Sequence, residues 1–175
     1  VLLERLGRVA VAPGHVIDLY ERQIVRCKAP SDRLAALARA AEVAADHDAG
    51  TRARGFFDLA LGAGVQEETL NAIEEVARSS DQRRGDSRLT AILAEALAAG
   101  GQGSRDGGRT RSALLRRAAD LAFRDLADID KAFKWVGDAI VPHVDDAGLD
   151  ALDALSLLRG TVAPRKIQDL VGRRI

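Results

Sequence analysis

A duplicated segment constrains the fold of this chain more than any other feature of its sequence. RLAALARAAEVA at residues 33–44 returns as RSALLRRAADLA at residues 111–122, an offset of 78 residues (111 − 33). One inserted residue changes the offset to 79, and the match continues, so that Phe56 aligns with Trp135. Agreement over three successive predicted helices and their loops indicates an internal repeat rather than chance similarity between two alanine-rich helices.

The composition favours helices along the whole chain. Hydrophobic residues make up 47% of the 175 residues, enough to form a core, whereas aromatic residues make up only 3%. Alanine and leucine, the strongest helix formers, dominate, and strand-favouring runs are scarce. We therefore predict an all-α protein. Proline, glycine and capping residues separate ten predicted helices, near residues 2–10, 15–28, 32–47, 51–62, 66–78, 87–99, 110–126, 129–141, 146–158 and 164–173.

The predicted helices group into four-helix units of 70 to 80 residues. VIDLYERQIV at residues 16–25 corresponds to RLTAILAEAL at residues 88–97, and the loop GGQGSRDGG absorbs the difference in spacing. Such a period is the signature of a helical solenoid, in which units bury their apolar faces against their neighbours. The predicted array spans residues 1–175, begins and ends within a unit, and divides into 11–78, 79–158 and the start of a further unit at 159–175.

Within each unit, two helices carry a regular pattern of small and large apolar residues. In the first unit these are Leu37, Ala40, Ala41, Ala44, Ala53, Phe57 and Ala60. In the second unit they are Leu115, Ala118, Ala119, Ala122, Ala132, Val136 and Ala139. Over residues 33–65 and 111–144 the pattern resembles the tetratricopeptide repeat (TPR), although the helix-A tryptophan and tyrosine are absent and Val65 and Val144 replace the closing proline. The resemblance implies a TPR-like α-solenoid of antiparallel helix pairs, a right-handed superhelix that binds other proteins and carries no chemistry.

Charge, hydropathy and cysteine content exclude several classes of function. The formal net charge is zero, so the chain lacks the basic field with which nucleic-acid-binding proteins attract phosphates. No apolar run approaches the roughly 20 residues that span a bilayer. The single cysteine, Cys27, can form neither an intramolecular disulfide nor a structural zinc site. We therefore expect a cytoplasmic protein without metal or cofactor that does not bind nucleic acid and does not insert into a membrane, and the oligomeric state stays open.

Three sets of potential metal ligands have a structural explanation. The histidines are dispersed beside predicted loops, at His15, His47 and His143. One acidic set lacks the glycine and terminal glutamate of a calcium loop, and consists of Asp125, Asp128 and Asp130. A second set could hold magnesium but aligns with Gln66, Glu67 and Asn71, and consists of Asp145, Asp146 and Asp150. Because both acidic sets precede predicted helices, we predict that they stabilise helix N-termini.

Two further features could indicate ligand sites. GGQGSRDGG at residues 100–108 precedes a helix, where a phosphate could bind, but it lacks the lysine of a P-loop and follows a helix instead of a strand. We predict a flexible turn there. Trp135 could form a ligand platform, but its apolar neighbours recur at helical spacing, which predicts a core residue. The serines show no arrangement of a catalytic triad.

A candidate partner-binding face follows from placing residues 111–126 on a helix at 100° per residue. One face is apolar, with Leu114, Leu115, Ala118, Ala119, Leu121, Ala122, Phe123 and Leu126. The outward face consists of Ala113, Arg116, Arg117, Asp120 and Arg124. Its counterpart in the first unit consists of Ala35, Ala38, Arg39, Glu42 and Asp46.

The resemblance implies that this helix lines the concave surface of the solenoid. Arg116, Arg117 and Arg124 are therefore the candidates for binding an acidic peptide or carboxylate of a partner protein. The alternative is a solvated helix face with an Arg117–Asp120 pair. The expected function is a non-catalytic scaffold for protein–protein interaction. Two alternatives stay open, a sensor or regulatory domain that binds a small ligand between units and signals to an attached effector, and a helical enzyme.

Overall fold

The computed structural model describes residues 13–47, 49–62, 66–103, 108–141 and 145–159. Over these ranges it contains helices and no strand, which confirms the prediction of an all-α protein. The helices are α1 (Pro13–Arg26), α2 (Pro30–Asp46), α3 (Gly50–Gly62), α4 (Glu67–Arg84), α5 (Arg88–Gly103), α6 (Arg109–Arg124), α7 (Ile129–Ile140) and α8 (Asp146–Leu158). The helices predicted at 2–10 and 164–173 lie outside the described residues. None of the described helices combines the length and hydropathy needed to cross a membrane.

The chain forms two compact bodies. The N-terminal body is Val1–Leu93 and the C-terminal body is Ala94–Ile175, so the division falls within α5. In the N-terminal body, α2 packs against α1, α3 and α4. In the C-terminal body, α7 packs against α6 and α8. Helices that follow each other closely in sequence thus pack together, as short connections require.

Alanine builds the contact between the first two helices of each sequence repeat. Ala40 and Ala44 of α2 are fully buried, and so is Ala53 of α3. The aligned alanines of α6 and α7 are fully buried as well, at Ala118, Ala122 and Ala132. Small side chains allow two helix backbones to approach closely, and the larger apolar residues then fill the sides of the contact. Phe56 and Trp135 are each 4% exposed, so aligned positions of the two repeats are buried to the same degree.

Helix α4 is longer than its sequence predicts. The predicted helix over 66–78 leaves the polar tract SSDQRR, residues 79–84, outside it. In the structure α4 continues to Arg84 and ends at Gly85, whose φ of 72° lies in the left-handed region that glycine adopts without strain. The additional turns bury Ser80 and Asp81, whose partners lie on other helices. Tertiary hydrogen bonds thus extend a helix whose local composition is unfavourable.

Asp81 of α4 caps the next helix. Its Oδ1 accepts the backbone N–H of Leu89 at 2.9 Å, and its Oδ2 accepts that of Thr90 at 2.7 Å. The same carboxylate accepts from Arg84 Nη2 at 2.8 Å. The first backbone N–H groups of a helix lack partners within it, so this carboxylate satisfies donors at the start of α5.

The glycine-rich run is only partly a turn. Gly100 to Gly103 belong to α5, which corrects the prediction that the helix ends at residue 99. Gly101 is buried against α6, and a Cβ atom there would lie 2.9 Å from Leu115 Cγ and 3.1 Å from the carbonyl oxygen of Arg111. The absence of a side chain therefore lets α5 and α6 approach closely. Residues 104–107 lie outside the described part of the chain.

Candidate functional site

The three candidate arginines lie on α6 but differ in their surroundings. Arg116 is half-buried and donates from Nη2 to Asp145 Oδ2, just before α8. The Arg124 side chain is mostly exposed, and its Nε lies 2.8 Å from Asp120 Oδ1, one helical turn away. Arg117 is half-buried and has an interaction partner within the protein. The carboxylate of Asp120 thus pairs with Arg124, one of the three candidate arginines.

A groove of about 260 Å³ lies between α6, α7 and α8 in the C-terminal body. We call it the α6–α8 groove. Its charged lining residues are Arg116 and Asp120 of α6. Its larger apolar walls come from all three helices and consist of Ala119, Phe123, Val136, Ala151, Leu155 and Leu158. Ala147, Gly148 and Ala154 of α8 complete the lining. The groove is therefore mostly apolar, with an ion-paired cation and an ion-paired anion on one wall.

The equivalent face in the N-terminal body is covered by α4. Ser80 Oγ donates to Glu42 Oε1 at 2.8 Å, and Arg83 Nη2 donates to the same oxygen at 2.6 Å. Ala45, one turn further along α2, is fully buried. Its aligned residue on α6, Phe123, is 42% exposed. One face of the repeat is thus closed in the N-terminal body and open in the C-terminal body.

Glu42 is the centre of an ion-pair network on the covered face. Burial opposes ionisation of its carboxyl, but hydrogen bonds from Ser80 and Arg83 and the charge of Arg39 outweigh that cost and lower the pKa of Glu42. Burial raises the pKa of the Tyr20 hydroxyl, and the negative charge of Glu42 adds to this shift. Charged groups that satisfy one another in this way stabilise the helix contact and leave little for a ligand to bind.

Asp145 connects the groove to the start of α8. Its Oδ1 accepts the backbone N–H of Gly148 at 2.7 Å, which caps α8, while its Oδ2 accepts from Arg116. A side chain at Gly148 would collide with Ile140 Cγ2 of α7 and would lie 3.2 Å from Arg116 Nη2. Glycine is therefore required for this close contact, and the capping carboxylate holds Arg116 beside the groove.

The predicted helix faces need three corrections. Ala38 and Glu42, predicted to face outward, are buried because α4 covers that side of α2. Phe123, predicted on the apolar inner face of α6, is substantially exposed and lines the groove. Helical periodicity identifies which residues share a face, but it does not identify which neighbouring helix covers that face.

Three of the other candidate residues have the structural roles that the sequence predicts. Asp128 caps α7 by accepting the backbone N–H of Lys131 at 2.9 Å, and Asp145 caps α8. Trp135 is a buried core residue with Lys131 Nζ 6.0 Å from its ring centroid. Within the described ranges, no three His, Cys, Asp or Glu residues are grouped so that they could hold a metal ion. His143 lies outside those ranges, whereas His15 and His47 are exposed.

Helical periodicity within one repeat does not identify the residues that open the groove. Val136 is buried and forms a wall of the groove, and its aligned residue in the N-terminal body is the larger, inaccessible Phe57. Phe123 aligns with the fully buried Ala45. The alignment of the two repeats does contain a signal, because the aligned residues differ in size at these two positions. It is visible only when the repeats are compared for their differences.

Comparison of the chain with models of protein families, with curated proteins and with solved structures finds no match. The internal repeat and the α6–α8 groove are therefore the observations on which a function can be proposed.

Proposed function

We propose that this chain is a non-catalytic protein-interaction module that binds a segment of another protein in the α6–α8 groove. The observation that carries this proposal is the open groove itself. Phe123 and Leu158 line it and are 42% and 57% exposed, although both are large apolar side chains. Exposed apolar surface bordered by charged residues is typical of sites at which protein partners dock.

We also propose that the helices form a TPR-like solenoid, a right-handed superhelix of antiparallel helix pairs. Two observations support this architecture. Aligned positions share their burial in the third helices of the repeats as well, since Ile73 and Leu152 are both inaccessible. In the N-terminal body, α2 contacts the helices on both sides of it in sequence and also α4, which is the packing expected of the first helix of a repeated pair.

The size and chemistry of the groove favour a peptide over the two alternatives. Pockets for small molecules commonly enclose about 300–1,000 Å³, more than the roughly 260 Å³ of this groove. An enzyme needs titratable groups that are poised to react, whereas the charged lining residues Arg116 and Asp120 are each engaged in an ion pair. A side chain of a partner protein matches both the size and the apolar character of the groove.

Selection from a library of random linear peptides tests the proposal. We expect the chain to enrich peptides that bind the wild-type protein and lose affinity for the triple variant Arg116→Glu, Arg117→Glu, Arg124→Glu. Reversing three charges beside the groove repels an acidic ligand and makes the loss larger at low salt. Fluorescence anisotropy of labelled peptides measures the affinities.

The matched control is Arg22→Glu, Arg26→Glu, Arg33→Glu, which makes the same charge change at exposed residues of the N-terminal body. We expect this variant to bind the selected peptides as the wild type does. Circular dichroism establishes that both variants remain folded. Equal affinity of both variants, or a library from which nothing is enriched, contradicts the proposal.

A further inference from the structure

The α6–α8 groove contains a space that results from one difference in residue size between the two repeats. Phe57 is inaccessible in the N-terminal body, where its ring occupies the contact of α3 with its neighbours. In the C-terminal body the smaller Val136 stands at that position and forms a wall of the groove. Exchange of a phenylalanine for a valine leaves room for part of an apolar side chain. The groove therefore offers an apolar space beside Val136 that no described side chain of this protein fills.

The helix face beside the groove is more basic than its counterpart in the N-terminal body, because Arg116 and Arg124 stand where α2 has Ala38 and Asp46, whereas Asp120 keeps the acidic charge of Glu42. There, α2 presents Asp46, which pairs with Arg84 of the covering helix. On α6, Arg124 stands at the aligned position, and its side chain is 70% exposed. Its pair with Asp120 is an exposed i,i+4 ion pair, which contributes little and is readily exchanged for another carboxylate. A segment that covers α6 as α4 covers α2 would therefore need an acidic residue where α4 has Arg84.

Arg116 supplies a second cation on the same side. Its guanidinium is held by Asp145, and within the described structure its buried Nε has no hydrogen-bond partner. A buried donor without an acceptor is unfavourable, so a carboxylate or carbonyl oxygen of a ligand that accepts from this Nε would bind favourably. Its position beside the apolar walls brings a charged and an apolar subsite together.

We infer that the α6–α8 groove binds an acidic segment of a partner protein whose single apolar side chain enters the space beside Val136, while flanking carboxylates lie against Arg116 and Arg124. This inference rests on the proposed function and specifies its ligand. Charge complementarity is the reason for choosing an acidic protein segment over a free apolar molecule or a second copy of this chain. Val136 is then the residue that gives the two repeats different specificity.

A double-mutant cycle between protein and peptide tests the inference. The probes are a peptide selected from the library and its variant in which the apolar residue is alanine. For the wild-type protein we expect the alanine peptide to bind at least about tenfold more weakly, because burial of one large apolar side chain contributes that much. For Val136→Phe we expect the two peptides to bind equally, since the ring fills the space that the side chain occupied.

Two further variants control the cycle. Ala151→Leu fills the same groove from α8 and gives a second, independent test if Val136→Phe disturbs the fold. Val25→Phe adds the same ring at an exposed position of α1, where Val25 is 85% exposed, and should leave the tenfold difference unchanged. Circular dichroism and thermal unfolding verify the fold of each variant.

The possible results separate the inference from the proposed function. In one outcome, the selected peptides bind and lose affinity for the triple arginine variant, but the alanine substitution weakens binding by the same factor for wild type and for Val136→Phe. The protein-interaction function then stands and the inference is wrong. If Val136→Phe abolishes self-association measured by sedimentation, a second copy is the occupant and the inference is wrong. Enrichment of peptides without acidic residues likewise overturns it.

Discussion

Backbone conformation at single residues marks where the two sequence repeats differ. Ala127 has a φ of 52° and is the one non-glycine residue with positive φ in the described part of the chain. It lies in the loop between α6 and α7, in the stretch where the alignment of the two repeats gains one residue. The left-handed region costs an alanine about 1 kcal/mol or more, so the insertion is accommodated at a local energetic cost.

Replacing Ala127 by glycine should therefore stabilise the protein. We expect Ala127→Gly to raise the free energy of unfolding by up to about 1 kcal/mol, because relief of the strained φ exceeds the additional entropy of glycine in the unfolded chain. Gly85→Ala is the reciprocal change at a φ of 72°, where a Cβ atom would contact nothing within 4 Å, and should destabilise by a similar amount. Urea unfolding followed by circular dichroism measures both. Changes of the same sign in the two variants contradict this account of the backbone.

At the level of elements, a glycine at a helix contact has a different role from a glycine on a helix surface. Gly101 and Gly55 both lie within helices, and local propensity alone treats them alike. Gly101 faces Leu115 of α6 at a distance that leaves no room for a methyl group, whereas a Cβ atom at Gly55 would contact nothing within 4 Å. Tertiary contact thus decides which of the two tolerates a side chain.

The matched substitutions Gly101→Ala and Gly55→Ala should change stability in opposite directions. We expect Gly101→Ala to lower the free energy of unfolding by about 1–3 kcal/mol, the usual cost of overpacking a core contact. Gly55→Ala should raise it by about 0.5–1 kcal/mol, since alanine is the better helix former. Thermal unfolding measures both variants. Stabilisation by Gly101→Ala would show that α5 and α6 are further apart than the structure has them.

The sequence predicts the existence of the described helices well, because their separators are local. Pro30, Gly50 and Gly85 break the chain where the structure does. The ends of α4 and α5 are predicted too early, since Ser80 and Gly101 are held in helices by partners on other elements rather than by their own propensity. The groove escapes prediction for the same reason. The groove exists because α4 covers α2 in the N-terminal body, whereas the corresponding face of α6 is open in the C-terminal body. No local sequence pattern carries that information.

Across the whole molecule, aligned core positions of the two repeats have similar burial, but one helix face is covered in the N-terminal repeat and open in the C-terminal repeat. The aligned alanines and the Phe56–Trp135 pair keep the same burial in both. On the N-terminal repeat the face is closed by α4, whose Ser80 and Arg83 donate to the buried carboxylate of Glu42, while the buried Asp81 of α4 caps α5. On the C-terminal repeat the face is open and apolar. Under the proposed function, one repeat would contribute stability on this face and the other would bind a partner there.

The buried carboxylates Glu42 and Asp81 predict that the free energy of unfolding falls in acid. Burial opposes ionisation of Asp81, but hydrogen bonds from Thr90, Leu89 and Arg84 outweigh it, so its pKa is lowered, as is that of Glu42. A lowered folded-state pKa contributes stability that is fully present above the unfolded value of about 4 and is lost as the pH falls towards the folded value. We expect Glu42→Gln, Asp81→Asn to be less stable than wild type by roughly 2 kcal/mol per site at pH 7.

The difference between wild type and this double variant should shrink as the pH falls below about 4, because protonation removes from the wild type the charges that the variant already lacks. Urea unfolding at a series of pH values measures it. Asp58→Asn is the control, since Asp58 lies on the surface of the same body and its ion pair with Arg54, at 3.9 Å, is exposed. That variant should match the wild type at every pH. A difference for Glu42→Gln, Asp81→Asn that is as large in acid as at neutral pH would mean that the two side chains stabilise the fold through hydrogen bonds that an amide cannot replace, and not through their charge.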